Sequence, residues 1–218
     1  MQAKKRPEQP YRPVSSSRGR PRDPNIEDRV FDAALALYGD QGWPGFNFDA
    51  VAKRAGVGKD ALYRRWDSRE ILLREALDER WEWLRAIDEG SLREDLIALG
   101  RTVLNTFAGP FGSVALQLRA DAHRYVEVRA FADPYRETVV RQGRSIVRRA
   151  IERGGLPAGT NPGLIMDLLI GGIINHILST PDRLRHAMMQ QADRFIEDSV
   201  DVILGGTNRL VARLRISD

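Results

Sequence analysis

The side chains best suited to chemistry lie in one short stretch, residues 51–66, which reads VAKRAGVGKDALYRRW. Gly-Val-Gly separates two helix-favouring pieces here, and the second piece carries Lys59, Tyr63, Arg64 and Arg65. A guanidinium group can form a bidentate hydrogen-bonded pair with guanine, whereas Lys and Tyr side chains can hold backbone phosphates. These residue types and their spacing therefore favour recognition of a nucleic acid.

Two short helices and a tight turn would position these side chains. Asn47 is a good N-cap for a helix over residues 48–55, and Gly56 follows that helix where a left-handed backbone is favoured. In a second helix, predicted over residues 59–66, Leu62 and Trp66 lie four residues apart and can face the core. The outer face is then left with Lys59, Asp60, Tyr63, Arg64 and Arg65. This is the construction of a helix–turn–helix, whose second helix enters the DNA major groove; the structural alternative is a plain turn between two packed helices.

The rest of the chain also reads as helices. Sustained apolar–polar alternation and Asn-Gly or Asp-Gly hairpin turns are absent from the 218 residues, so no strand is expected. We predict an all-α fold of about nine helices, in which an N-terminal three-helix domain with the helix–turn–helix precedes a C-terminal helical domain. The predicted segments are an arm over residues 1–24 and domains over residues 25–75 and 76–218. Predicted helix limits include a first helix from Ile26 that ends over residues 39–45, a helix over residues 134–153 and a last helix over residues 181–204.

The positive charge is confined to one end of the chain. The net charge is +4, and residues 1–70 account for all of it with 14 basic and ten acidic side chains, because residues 71–218 carry 20 of each. Segregation of this kind favours a polyanionic partner for the N-terminal end. The simpler interpretation is a solubilising tail.

Residues 1–24 form a basic arm whose apolar-poor composition predicts disorder in isolation. Within the arm, the sequence Arg-Gly-Arg-Pro resembles the core of an AT-hook. In that interpretation Arg18 and Arg20 flank a glycine on the floor of a narrow A·T-rich minor groove. A generic basic tail that contacts phosphates fits the same residues equally well, so both interpretations stay open.

Catalytic and metal-binding patterns are missing from the sequence. The chain has no Cys, and His123, His176 and His186 do not have metal-ligand spacing. No H-E-x-x-H, G-x-S-x-G or P-loop sequence occurs. We therefore expect neither an enzyme nor a bound metal or other cofactor. The lack of a signal sequence and of a long uncharged apolar run predicts a cytoplasmic protein that does not enter a membrane.

A longer run of sequence carries a family resemblance. FNFDAVAKRAGVGKDALYRRWDSREILL, preceded by RVFDAALALYGDQGW, resembles the DNA-binding domain of the TetR family of bacterial transcriptional regulators over about residues 26–77. The matching motifs are Gly39 to Gly42, Ala52, Ala55-Gly56-Val57, Leu62-Tyr63, Trp66 and Ser68-Arg69-Glu70. Asn47 stands where the family usually has Thr, and Asn caps a helix equally well. Arg69 stands where the family usually has Lys and keeps the charge, so the resemblance still implies a phosphate contact there.

The resemblance also implies how the protein assembles and what it binds. It implies a homodimer formed through the last two helices, and a C-terminal domain that binds an unknown small-molecule effector. The chain would be a repressor that holds a palindromic double-stranded DNA operator through Asn47, Arg69 and the exposed face of the second helix, until the effector releases it. Side chains on the central helices that could line the effector pocket are Leu104, Phe107, Phe111, Gln117, Asp121, His123 and Asn175.

Two other functions are compatible with a helix–turn–helix. An architectural DNA-binding protein would use the AT-hook-like arm and need no effector. A helix–turn–helix recombinase would need clustered acids or a nucleophilic Ser or Tyr beside the second helix, and the sequence offers none there.

The arm generates a first prediction, which Gly19→Val tests. This substitution keeps every charge but adds a branched side chain where an A·T-rich minor groove is narrow. If the arm reads the groove, Gly19→Val removes the preference for A·T-rich operator flanks and leaves the salt dependence of binding unchanged. Deletion of residues 1–22 instead lowers the slope of log K against log salt by about 0.9 for each lost phosphate contact. Competition binding with flank-varied DNA makes the measurement, and a parent protein without flank preference would show that the arm is only a basic tether.

Overall fold

The computed structural model describes residues 26–80 and 87–214, with side chains described through residue 207. Arg18, Arg20 and the rest of the predicted arm lie outside these ranges. The described chain contains ten α-helices, one short 3₁₀ helix and no strand, which confirms the all-α prediction. The helices are α1 Ile26–Gly45, α2 Phe48–Ala55, α3 Lys59–Tyr63, α4 Arg69–Arg80, α5 Leu92–Ala108, α6 Gly112–Arg124, α7 Val126–Glu152, α8 Pro162–Ser179, the 3₁₀ helix Asp182–Leu184, α9 Arg185–Gln190 and α10 Ala192–Leu214.

Two clusters of buried apolar side chains hold the helices together. The first cluster is built by α1 to α4, and it also contains Val114 and Ala122 from α6 and Val128 from α7. The second cluster is built mainly by α5, α7, α8 and α10. Because α6 and α7 contribute to the first cluster, the helix–turn–helix packs against these two helices through apolar side chains rather than through a polar interface.

The first helix ends at Gly45, within the range that the sequence predicts, and it does not stop at the earlier glycines Gly39 and Gly42. α1 continues to Gly45 and is kinked at Gly42, whose φ of 63° and ψ of −169° fall in a region that is essentially restricted to glycine. Gly39 is helical and lies where α1 passes close to α6, since a Cβ there would stand 2.4 Å from Ser113 Oγ. These glycines therefore serve a close helix approach and a kink.

Two other helix limits that the sequence predicts at proline or glycine, the start of α7 and the end of α10, lie elsewhere in the structure. α7 begins at Val126 rather than at residue 134, and Pro134 lies in its interior. The carbonyl that loses its helical hydrogen bond there belongs to the exposed Ala130, so water can satisfy it. α10 continues through Gly205 and Gly206, neither of which adopts a positive φ. α10 therefore remains helical through two residues of weak helix preference.

Two smaller limits also differ from the sequence prediction. α3 ends at Tyr63, and a turn carries the chain on to Trp66. The predicted helix over residues 181–204 is divided into the 3₁₀ helix, α9 and the first half of α10. The proposed division of the chain between residues 75 and 76, which lies inside α4, stays a prediction.

α8 has two different apolar faces. By length and composition alone this helix could cross a membrane. One stripe, which contains Ile165, Leu169 and Ile173, is buried in the second core cluster. Leu164 and Leu168 on another stripe are 45% and 53% exposed. α8 is thus a core helix of this fold that also presents an apolar surface to solvent.

The kink at Gly42 generates a stability prediction. A Cβ at Gly42 would meet Gln117 Nε2 at 2.2 Å, and the left-handed φ disfavours any side chain. We expect Gly42→Ala to lower the free energy of unfolding by about 1–3 kcal/mol, measured by urea denaturation. Gly159→Ala is the matched control, because no atom lies within 4 Å of its Cβ position and its φ is not positive. Equal stability of Gly42→Ala and the parent would contradict the role assigned to the kink.

Candidate nucleic-acid interface

Caps fix both ends of the first helix of the helix–turn–helix. Asn47 Oδ1 accepts a hydrogen bond from the Ala50 amide at 2.9 Å, and Asn47 Nδ2 donates to the Gly45 carbonyl at 3.2 Å. Gly56 ends α2 in the left-handed conformation, with a φ of 66°. Both polar groups of the Asn47 side chain are therefore used within the protein, as expected of an N-cap.

Buried side chains hold the second helix, α3, against the core. Leu62 is completely buried and Trp66 is 3% exposed. The Trp66 indole donates from Nε1 to Glu75 Oε2 at 2.7 Å, and its ring meets Phe31 edge-on with 6.0 Å between ring centroids. These contacts confirm that Leu62 and Trp66 are the inward anchors, so the opposite side of α3 is presented rigidly to solvent.

All five side chains predicted on the outer face of α3 are exposed. We call this set the reading surface: Lys59, Asp60, Tyr63, Arg64 and Arg65. Tyr63 is 54% exposed, and its ring packs edge-on against Phe48 with 4.8 Å between centroids, so the hydroxyl is oriented by a packed ring. The structure therefore exposes the predicted DNA-contacting residues of α3 together with those of the turn that follows it.

Ion pairs divide the charges of the reading surface into two groups. Lys59 Nζ lies 2.6 Å from Asp49 Oδ1, and hydrogen bonding to Asp49 raises the pKa of Lys59 above its ordinary value. Arg65 Nη1 lies 3.7 Å from Glu27 Oε1. Arg64 and Asp60 have no ion-pair partner among the described residues. Arg64, in the turn that directly follows α3, is thus the guanidinium of the reading surface that is most available to a base.

Arg69 contacts the segment of residues 43–46, which is the kinked end of α1 and the residue that follows it. Its guanidinium carbon lies 3.8 Å from the centroid of the Trp43 ring. Its Nη1 donates to the carbonyls of Trp43 and Phe46 at 3.1 Å and 2.8 Å. The Arg69 guanidinium therefore connects α4 to this segment. A phosphate contact by the same guanidinium stays a prediction.

Asp121 joins α6 to the same segment from the opposite side. This buried carboxylate accepts a hydrogen bond from the Trp43 amide at 2.8 Å and one from Gln117 Nε2 at 3.3 Å. Burial, followed by the charge of Asp121, raises the pKa of the neighbouring Tyr38 hydroxyl above its ordinary value, so the phenol is neutral. Two residues proposed for the effector pocket thus form a contact between α6 and the kinked end of α1.

The structure does not gather the predicted pocket residues into one cavity. Leu104 and Phe107 belong to the second core cluster, whereas Phe111 packs against the first. His123 and Asn175 are exposed, and Asn175 Oδ1 accepts a hydrogen bond from Ser179. An effector site that includes these residues remains a prediction.

Sequence reasoning missed two contributors to the interface. Asp49, which pairs with Lys59, and Trp43, which stacks under Arg69, lie ten and 26 residues from their partners. The Gly-Trp-Pro-Gly sequence around Trp43 predicts the end of a helix but does not indicate a partner for the Trp43 ring. Groups of three or more side chains that could hold a metal do not occur in residues 26–80 and 87–207.

The fold and the reading surface define a class of protein, the helix–turn–helix transcriptional regulators with a helical C-terminal body. The family model described as bacterial regulatory proteins, tetR family, matches residues 30–76. The model described as tetracyclin repressor-like, C-terminal domain, matches residues 86–196. The chain therefore belongs to the TetR family of bacterial transcriptional regulators, which confirms the resemblance, and it is a DNA-binding regulator rather than an enzyme.

Known relatives and solved structures agree with this assignment. The HTH-type transcriptional regulator AqdR of Rhodococcus erythropolis is 30% identical over 168 residues, covering 76% of this chain and 80% of the relative. MexZ, a key repressor responsible for antibiotic resistance in Pseudomonas aeruginosa, matches with a TM-score of 0.65 and 22% identity over 82% of this chain and 94% of its own. AibR, in complex with isovaleryl coenzyme A and operator DNA, matches with a TM-score of 0.63 and 21% identity over 78% of this chain and 96% of its own.

The contact between α6 and α1 generates a second stability prediction. We expect Asp121→Ala to lower the free energy of unfolding by about 1–3 kcal/mol, because the buried Trp43 amide loses its acceptor. Asp121→Asn keeps a carbonyl acceptor at this position, so it should recover most of the loss. Urea denaturation of both variants makes the measurement, and equal losses for Ala and Asn would show that the charge rather than the hydrogen bond is important.

Proposed function

We propose that this chain represses transcription as a homodimer bound to a palindromic operator, and that a small effector bound among the C-terminal helices releases it. The observation that carries the proposal is the reading surface, which presents Tyr63 and Arg64 to solvent from a helix anchored by Leu62 and Trp66. MexZ, a structural neighbour, is described as a repressor, and this supports repression rather than activation as the proposed role. The protein acts where its operator DNA is, in the cytoplasm.

Each group of the reading surface suits a different part of DNA. Arg64 can pair bidentately with guanine, and Asp60 can accept a hydrogen bond from the amino group of a cytosine. Lys59, Arg65 and the Tyr63 hydroxyl suit backbone phosphates, with Arg69 and the Asn47 turn at the edge of the same surface. A G·C pair in each half-site is therefore the expected core of the operator.

The apolar face of α8, together with α10, is the surface proposed for the homodimer. Leu168 on α8 and Val202 on α10 are 53% and 74% exposed in the single chain. Gly171 and Gly172 are exposed on α8, and no described atom lies within 4 Å of a Cβ built on either of them. A two-fold seam of four helices would bury these side chains, and glycines would let the partner helix approach closely. A dimer also places two reading surfaces on one operator.

The effector is proposed to act through α6. A displacement of α6 would move the kinked end of α1, because Asp121 accepts a hydrogen bond from the Trp43 amide and Gly39 allows the two helices to pack closely. AibR was solved with isovaleryl coenzyme A, so thioesters of coenzyme A are the first effectors to test. Their acyl chains match the apolar second core cluster, which also contains Leu104.

The reading surface generates a prediction for operator binding. Arg64→Ala should weaken specific binding by about 1–3 kcal/mol, because a bidentate base contact is lost. Tyr63→Phe should weaken binding by about 0.5–1.5 kcal/mol, because it removes the hydroxyl and keeps the ring on Phe48. Mobility-shift titration with an operator selected from random DNA makes the measurement.

Arg74→Ala is the matched control for Arg64→Ala. Arg74 is exposed on α4, outside the reading surface, and its loss changes the net charge by the same amount. Binding by Arg64→Ala equal to that of the control would place base recognition elsewhere. The same complexes should dissociate when isovaleryl coenzyme A or a related thioester is added, and complexes that resist a broad thioester panel would remove this class of effector.

The proposed homodimer gives a prediction for α8. Leu168→Asp introduces a charge into the seam, so it should convert the dimer into a monomer and reduce operator affinity. Leu184→Asp is the matched control, since Leu184 is similarly exposed, at 42%, but lies in the 3₁₀ helix between α8 and α9. Light scattering at micromolar concentration makes the measurement, and a monomeric parent would remove the proposed assembly.

A further inference from the structure

An open groove of about 250 Å³ lies along the outer face of α7. We call it the α7 groove. The groove is lined by Arg136, Glu137, Val140, Arg141, Arg144 and Arg148. Four arginines against one glutamate leave an excess of three positive charges in one small surface. None of these side chains belongs to the reading surface or to the predicted effector pocket.

Three of the four arginines have no carboxylate partner in the described part of the chain. Arg136 pairs with Asp133 at 3.1 Å. Arg141 donates to the neutral Thr138 hydroxyl at 3.2 Å. Arg144 and Arg148 have neither an ion pair nor a side-chain hydrogen bond to a described residue, and as like charges four residues apart on one helix they repel each other.

The first turn of α8 adds to the positive potential beside Arg144. A Cβ at Gly163 would lie 3.5 Å from Arg144 Nη2, so the guanidinium stands next to the N-terminus of this 18-residue helix. The N-terminus of a helix carries partial positive charge, which opposes a cation and favours an anion. Asn161 already accepts from the amides of Gly163 and Leu164, so the guanidinium groups would supply the hydrogen bonds to an anion.

We propose that the α7 groove binds the phosphate groups of a small molecule. Guanidinium groups bind phosphate oxygens through paired, charge-assisted hydrogen bonds, and several guanidiniums along one helix face match a diphosphate better than a single carboxylate. Val140, which is 42% exposed, supplies an apolar patch between the arginines for the organic part of the ligand. The inference rests on the proposed function only in identifying this small molecule as the effector.

Calorimetric titration of the full chain with inorganic pyrophosphate tests the inference directly. The parent should bind pyrophosphate saturably and prefer it to succinate, which carries two carboxylates instead. Arg144→Gln/Arg148→Gln should weaken pyrophosphate binding at least tenfold. The matched control is Arg119→Gln/Arg183→Gln, which removes the same charge from two exposed arginines that do not line the groove, and it should bind as the parent does.

Three results would overturn the inference. One is the absence of saturable pyrophosphate binding by a parent that melts cooperatively. Another is an equal weakening in the groove and control variants, which would reflect net charge alone. The third is a groove variant that binds pyrophosphate as the parent does but whose operator binding depends less steeply on salt concentration. That result would mean that the groove contacts the DNA backbone instead. The titration contains no DNA. Its result can therefore be interpreted even if no effector releases the protein from its operator.

Discussion

The hydrogen bond from the Trp43 amide to the Asp121 carboxylate is the contact on which the arrangement of the two halves depends. It holds the kinked end of α1 from the α6 side. From the α4 side, Arg69 stacks on the Trp43 ring and binds the carbonyls of Trp43 and Phe46. α2 begins two residues after Phe46, so the segment clamped by these contacts sets the position of the helix–turn–helix relative to the body.

This clamp works because α1 and α6 share an apolar core instead of a wet interface. Val114 and Ala122 of α6 are buried in the same cluster as Val30 and Tyr38 of α1. A close-packed interface of this kind transmits a helix displacement rather than absorbing it, because interiors are nearly incompressible. The path from C-terminal helices to the reading surface is therefore short: α6, the kink at Gly42, and α2 with α3.

The features that the sequence predicted correctly are those encoded by local residues. Asn47, Gly56 and Leu62 act through neighbours within a few positions, so the helix–turn–helix and its outward face could be predicted. Partners that are distant in sequence could not be predicted. Arg69 contacts carbonyls 26 and 23 residues away, and Asp121 meets Trp43 across 78 residues. The prediction that α7 starts at Pro134 was wrong for a related reason. The helix tolerates this proline because Ala130, whose carbonyl loses its hydrogen bond, is exposed, and exposure depends on the whole fold.

The charge balance of the C-terminal half conceals its electrostatic pattern. Residues 71–218 carry equal numbers of acids and bases, and two of the acids form ion pairs where α10 meets α5. Asp201 accepts two hydrogen bonds from Arg93, which hold the pKa of Asp201 below its ordinary value, and Asp193 pairs with Arg101. The lining of the α7 groove contains four arginines and one glutamate, so a local excess of positive charge remains there. A protein that is neutral over this half can therefore still present a cationic surface to a small anion.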